Sequence, residues 1–411
     1  MNRFLRIILF LLLITTPAFA INEEVVLPKD TPMPERDINE DGVIDEKDVI
    51  IDNTEENFYD FKHFKDPIDR EESLFSKIDK TLHGEAIRTD RSHYLLKDTL
   101  TFDYDKGPID RIQFFGKYRG NMNFNFQNHG GYSSDYDIGS IDVGMIGEFN
   151  HFKETDFKLQ FKLTPVSDLT FFQQLISDAY IVNRNIPHHQ IFIGNSRNQV
   201  GVEGGMSSSF VPFVMRSQIA RTFGNTRAFG ARITGKYSLI DYSLAANSSD
   251  RFFKEFFPGA EFTGWVNIKP LGLTKGKYGK LVLGTGVSTG KNHDNYTVGG
   301  AYVGYTYKNF FINGEYSRAN GYNGRYRSSN SAQGFYTTVG YSITPKLQIV
   351  GRFDWFDPNL DVGKDIRREY SAGINYFIVG QALRILLNYV YCDNEGIDDS
   401  HRLILGTQIL L

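Results

Sequence analysis

The chain has 411 residues, a formal net charge of −4, 14% aromatic residues, 39 glycines and one cysteine. Mild acidity leaves no basic footprint for a nucleic-acid partner, and a single thiol cannot close an internal disulfide. A helical membrane protein needs apolar runs of about 20 residues, and only the first segment approaches one.

What remains is one large β-barrel or an array of soluble β-sandwiches, and the pattern along the chain separates them. Residues 1–20 read as a secretory signal: Arg3 and Arg6 precede an apolar core over 7–14, and Ala18-Phe19-Ala20 supplies a small-residue cleavage site. No cysteine follows that site, which excludes a conventional lipoprotein anchor. The mature protein is therefore expected to begin at Ile21 and to be exported.

Over residues 21–91 charged residues dominate, prolines cluster at Pro28, Pro32 and Pro34, and no period-two pattern appears. We expect a small, partly helical periplasmic region here. Within it, Asp37, Asn39, Asp41, Asp45 and Asp48 occupy positions one, three, five, nine and twelve of a calcium-type loop. Gly42 at position six permits the tight turn, Val43 offers its carbonyl, and Ile44 pins the loop to a core. A hard cation wants several oxygens, so Ca2+ is the expected ligand. Asp48 in place of a bidentate Glu makes the loop resemble the dockerin variety, although a dockerin carries two loops and one is found here; the alternative is an acidic, solvated linker. Residues 69–82 form an expected amphipathic helix, with Leu74, Phe75, Ile78 and Leu82 on one stripe, serving either as a periplasmic element or as a plug.

Residues 92–411 read as an all-β, antiparallel transmembrane barrel of about 16 strands. An extra strand is expected over 94–103. Strand starts then fall near 109, 135, 155, 170, 187, 226, 238, 259, 277, 295, 309, 332, 346, 367, 381 and 400. The alternation is clearest late in the chain. Leu347, Ile349, Gly351, Phe353 and Trp355 oppose Gln348, Arg352 and Asp354; Tyr370, Ala372, Ile374 and Tyr376 oppose Ser371, Gly373 and Asn375; Leu403, Leu405 and Ile409 oppose Arg402, Gly406 and Gln408. Period two with aromatic residues near segment ends is the pattern of a strand between lipid and a wet lumen. Connections sort the same way. Those at 128–134, 201–225, 247–258, 318–331, 357–366 and 393–399 are long, and those at 152–154, 184–186, 237–239, 308–309, 345 and 379–380 are short. Two exceptions are expected, a short connection around Val166 and a long turn over 271–279. A β-sandwich has no reason for such sorting. Cys392 sits in an expected strand as a small packing residue.

The longest connection, from Val200 to Asn225, is too apolar for a freely solvated loop, so it is expected to tuck into the lumen. Arg197, Arg216, Arg221, Arg227, Arg232 and Lys236 lie in or beside it, with Glu203 the one acid. Arg232 and Lys236 share a face and are expected to point into the pore, with Arg227 near the rim. These cations (Arg197, Arg216, Arg221, Arg232 and Lys236 above all) either form an anion-attracting constriction or pair with luminal acids such as Asp354 and Glu369 to brace the wall.

Three stretches carry a family resemblance: Ile191-Phe192-Ile193-Gly194-Asn195 with Arg216-Ser217; Thr226-Arg227-Ala228-Phe229-Gly230-Ala231-Arg232; and 351–358 with 369–376 and 384–391. They resemble the phosphate-selective porin O and P type of outer-membrane channel. The resemblance implies a sixteen-stranded barrel, usually a homotrimer, in the outer-membrane lipid of a diderm bacterium, passing small hydrophilic or anionic solutes. It does not carry over phosphate selectivity, and the end Gln408-Ile409-Leu410-Leu411 departs from the terminal Phe or Trp of many such barrels. An envelope tether using the calcium loop is the rival role. Enzymatic activity is not expected, because His188, His189 and His401 have no Ser motif beside them.

Overall fold

The computed structural model describes residues 94–411 apart from 97–98, 105, 128–130, 151, 153, 165–174, 225, 251–256, 275, 322–329 and 397. The signal segment, the loop bearing Asp37, Asn39, Asp41, Val43, Asp45 and Asp48, and the 69–82 helix lie outside the described residues.

The first strands are β1 (Thr101–Asp103), β2 (Ile109–Gln127), β3 (Tyr132–Phe149), β4 (Thr155–Lys162), β5 (Ile176–Asn183), β6 (His189–Arg197), β7 (Arg227–Lys236) and β8 (Ile240–Ser248). They continue with β9 (Ala260–Ile268), β10 (Lys280–Asn292), β11 (Asp294–Tyr307), β12 (Phe310–Asn320), β13 (Ser331–Thr344), β14 (Leu347–Asp357), β15 (Arg367–Val379), β16 (Leu383–Asn394) and β17 (Ser400–Leu410). Each of β2 to β17 pairs antiparallel with its neighbours in sequence, and β17 pairs with β2 from Ser400↔Gln127 to Leu410↔Lys117. That last pairing closes sixteen strands into a barrel and leaves none of them an open edge. β1 is a seventeenth strand, paired with the start of β2 beyond the reach of β17. The extra strand expected over 94–103 is thus confined to its last three residues.

Alternation explains which face each residue takes. In β15, Glu369, Ser371 and Asn375 are buried, while Tyr370 and Tyr376 are exposed toward the two ends with Ile374 between them. In β13, Phe335 and Tyr341 flank Val339 on the outer face in the same way. An aliphatic band between aromatic residues is what a strand needs when its outer face meets hydrocarbon at mid-height and headgroups at the ends.

Connections at one end are short turns, such as Lys308-Asn309 with Lys308 at a left-handed φ of 51°. The long turn between β9 and β10 is present as expected. The connection expected to be short around Val166 falls on residues 165–174, outside the described residues, between β4 and β5. A different exception lies between β10 and β11, where His293 alone joins the strands at the loop end, with φ 61°.

Candidate functional site

The barrel would be a wide tube but for the connection between β6 and β7. Residues 198–226 fold inward and carry two short helical turns, α1 (Val202–Gly205) and α2 (Gln218–Thr222). The apolar sequence of the loop explains its position. Met206, Phe210, Val211 and Phe213 pack with inward-facing Trp265, Val282, Tyr302, Phe311 and Val350, and Ile219 and Phe223 pack with Ala332, Tyr336 and Phe356. Wall glycines make room. A Cβ at Gly406 would stand 2.6 Å from Val214 Cγ2, and one at Gly334 would stand 2.7 Å from Ile219 Cγ2.

Polar wall groups then satisfy the loop's backbone. The Glu315 carboxylate accepts from Val202 N at 3.0 Å and Glu203 N at 3.2 Å, and also from Tyr336 Oη at 3.0 Å. Asp354 accepts from Gln218 N at 2.7 Å. Asn388 accepts from Val214 N at 2.8 Å, and Arg384 and Asn375 donate to the Val211 and Pro212 carbonyls, each at 3.0 Å. A buried irregular backbone would otherwise leave many donors and acceptors orphaned. These anchors come from β12 and from β14 to β16, so the loop is tied to that part of the wall.

Between the loop and the wall formed by β2 to β7 and β17 lies a cavity of about 510 Å³. Its lining is strongly cationic. Lys117 and Arg119 project from β2, Lys162 from β4, Arg197 and Arg227 from facing positions on β6 and β7, Arg402 from β17, and Arg216 and Arg221 from the loop. The acids are Asp135, Asp137 and Asp142, all on β3. Asn121, Asn123 and Asn125 continue the inward face of β2 toward the loop end. Next to Lys117, whose ammonium stands 5.8 Å from the Tyr94 ring centroid and 5.4 Å from that of Phe115, the residues Tyr94, Phe115, Ile146, Tyr180, Val182 and Phe192 form an apolar cluster inside the barrel.

The residues expected from the sequence divide. Arg197, Arg216, Arg221 and Arg227 all line the cavity. Arg216 is held by the Glu203 and Met206 carbonyls, and burial lowers its guanidinium to about 10, which leaves it charged at neutral pH. Arg221 both lines and braces, for Glu369 accepts from it at 3.0 and 2.9 Å and from Arg402 at 2.7 Å. Arg227 reaches Asp178. Arg232 points inward as expected but stands outside the cavity, stacked 4.2 Å from the Phe192 centroid and bonded to the Arg197 carbonyl.

Lys236 does not belong with the others. It ends the ten-residue strand β7 at the turn end, where its backbone N–H meets the His188 carbonyl. Nine steps of strand put it roughly 30 Å from Arg227. Sharing a face with Arg232 did not give it a place at the same height. Four contributors were not singled out from the sequence: Lys117, Arg119, Lys162 and Arg402. For the first two the signal was available, since Lys117, Arg119, Asn121, Asn123 and Asn125 alternate along β2.

Residues 274–408 match the family model described as phosphate-selective porin O and P. The match covers the later strands of the barrel, from the turn before β10 into β17. No curated protein matches the chain. Among solved structures, the barrel is similar to the outer membrane channel DcaP of Acinetobacter baumannii, with a TM-score of 0.54 at 13% identity over 75% of this chain and 99% of that one. It is similar to an anion-selective porin from Comamonas acidovorans, with a TM-score of 0.53 at 8% identity over 73% and 99%. A trimer form of OmpT, an outer membrane protein of Vibrio cholerae, gives a TM-score of 0.50 at 11% identity over 73% and 99%. At these identities the similarity speaks to the fold.

Proposed function

We propose that the protein is an outer-membrane porin through which small hydrophilic solutes diffuse passively, with a preference for anions. One observation carries the reading: the space left between the inserted loop and the wall is lined by eight basic side chains, from Lys117 to Arg402, against the three carboxylates Asp135, Asp137 and Asp142. Guanidinium and ammonium groups focused in a narrow, low-dielectric passage raise the local concentration of anions and exclude cations. A space of about 510 Å³ is of the size that takes a small solute. The family match and the anion-selective relative from Comamonas acidovorans support the same reading.

The chain's placement follows from that role. Its aromatic-bordered band would sit in outer-membrane lipid, and residues 1–20 would direct export and be removed. The charged 21–91 region would stay periplasmic and hold Ca2+ with Asp37, Asn39, Asp41, Asp45, Asp48 and the Val43 carbonyl. A homotrimer is the proposed assembly, supported by the trimer form of OmpT. The test of the channel is swelling of liposomes that contain the purified protein. Uptake of small uncharged sugars with a sharp size cut-off is expected, and liposomes that stay sealed to the smallest of them would end the proposal.

A further inference from the structure

We infer that the passage favours solutes bearing an ammonium group close to an anionic one, such as amino acids and aminoalkyl phosphates, over bare anions. The inference rests on the porin reading and adds the substrate class. Asp142 on β3 and Gln160 on β4 both line the cavity and are 9% and 3% exposed. Asp142 Oδ1 and Gln160 Oε1 are buried and have no hydrogen-bond partner. They are diagonal neighbours on one face, for the register sets Asp142 opposite Lys162 and Gly144 opposite Gln160.

Two acceptors desolvated side by side call for a donor, and the charge pattern says which kind. Lys117 and Lys162 stand opposite Asp142 on the two neighbouring strands, yet neither forms an ion pair with it within 4 Å. Asp135 and Asp137 extend the acidic strip along the same strand. Arg119 and Arg227 line the same space. A purely anionic solute meets the guanidinium groups but is repelled by β3, whereas an uncharged one gains little from the cations. A zwitterion can place its anion on the guanidinium groups and its ammonium on Asp142 and Gln160. Arg119 follows Lys117 by two residues on β2 and Lys117 stands opposite Asp142, so a guanidinium and the carboxylate are diagonal neighbours and the solute's two groups need be only a few ångströms apart.

The test compares two probes that share a phosphate and differ in the amine: phosphorylethanolamine and methyl phosphate. Each is titrated against the chloride current of the full-length protein in planar bilayers. We expect the aminophosphate to reduce the current at a roughly ten-fold lower concentration, the low end for one charged hydrogen bond. In Asp142→Asn the ratio should fall to about one, and Gln160→Leu gives the same reading should the first variant not fold. Equal potency in the unaltered protein, or a ratio that survives both substitutions, overturns the inference while leaving the channel intact. Absence of any current overturns the porin reading and this one with it.

Discussion

Glu315 shows how much of the site rests on single side chains. Its carboxylate holds the first two N–H groups of α1, and nothing else described at that point offers an acceptor to both. In Glu315→Ala those donors lose their partner inside the lumen, at about 1–3 kcal/mol for each group left unsatisfied. The loop should loosen while the strand ladder holds. Single-channel recordings should then show a higher and noisier conductance, with heat-modifiable migration on gels unchanged. Arg402 offers a complementary case. Removing it subtracts a cavity cation and also leaves Glu369 held by Arg221 alone. Arg402→Ala should therefore reduce chloride preference more than Arg197→Ala, measured as the zero-current potential of each variant. Pairings of this kind could not be read from the chain. Arg352 and Glu203 meet across 149 residues and Gln218 and Asp354 across 136, and no local period records such partners. The sequence left bracing and constriction as alternatives. Arg221 does both.

The inserted loop and the strands it leans on behave as one element. A side chain larger than hydrogen at Gly406 would enter the space of Val214, and at Gly334 that of Ile219. Gly406→Val should push the loop off the wall and raise conductance, whereas a valine on the outer face, as in Thr407→Val, should not. Elsewhere inside the barrel Tyr94 is fully buried against Phe115, with ring centroids 5.2 Å apart. Tyr94→Ala thins the apolar cluster beside Lys117 and should also raise conductance, without altering loop anchoring. Strands were the legible part at this scale. Lipid on one side and water on the other impose a period of two, which any ten-residue window displays. Starts near 109, 155, 367 and 400 coincide with β2, β4, β15 and β17. Lys236 was misplaced because alternation reports the face of a strand and is silent about height along the pore.

On the scale of the whole molecule, stability and selectivity come from different halves of the same alternation. Outward side chains face hydrocarbon, so Ile374→Arg at mid-height on β15 should cost about 2–4 kcal/mol, seen as a lowered urea midpoint for folding into lipid vesicles. Inward substitutions such as Lys117→Gln should leave that midpoint nearly unchanged and act on the current. In the proposed channel the cavity's basic lining, in a chain whose net charge is −4, governs which ions pass. The most direct measurement is the zero-current potential of the purified protein in a planar bilayer across a tenfold KCl gradient, at salt low enough that screening does not mask the lining. The sign of that potential should be the one set by chloride crossing faster than potassium, and it should shrink when Arg119, Arg227 and Arg402 are replaced together. A potential of the potassium sign, or one that ignores the triple substitution, would contradict the account.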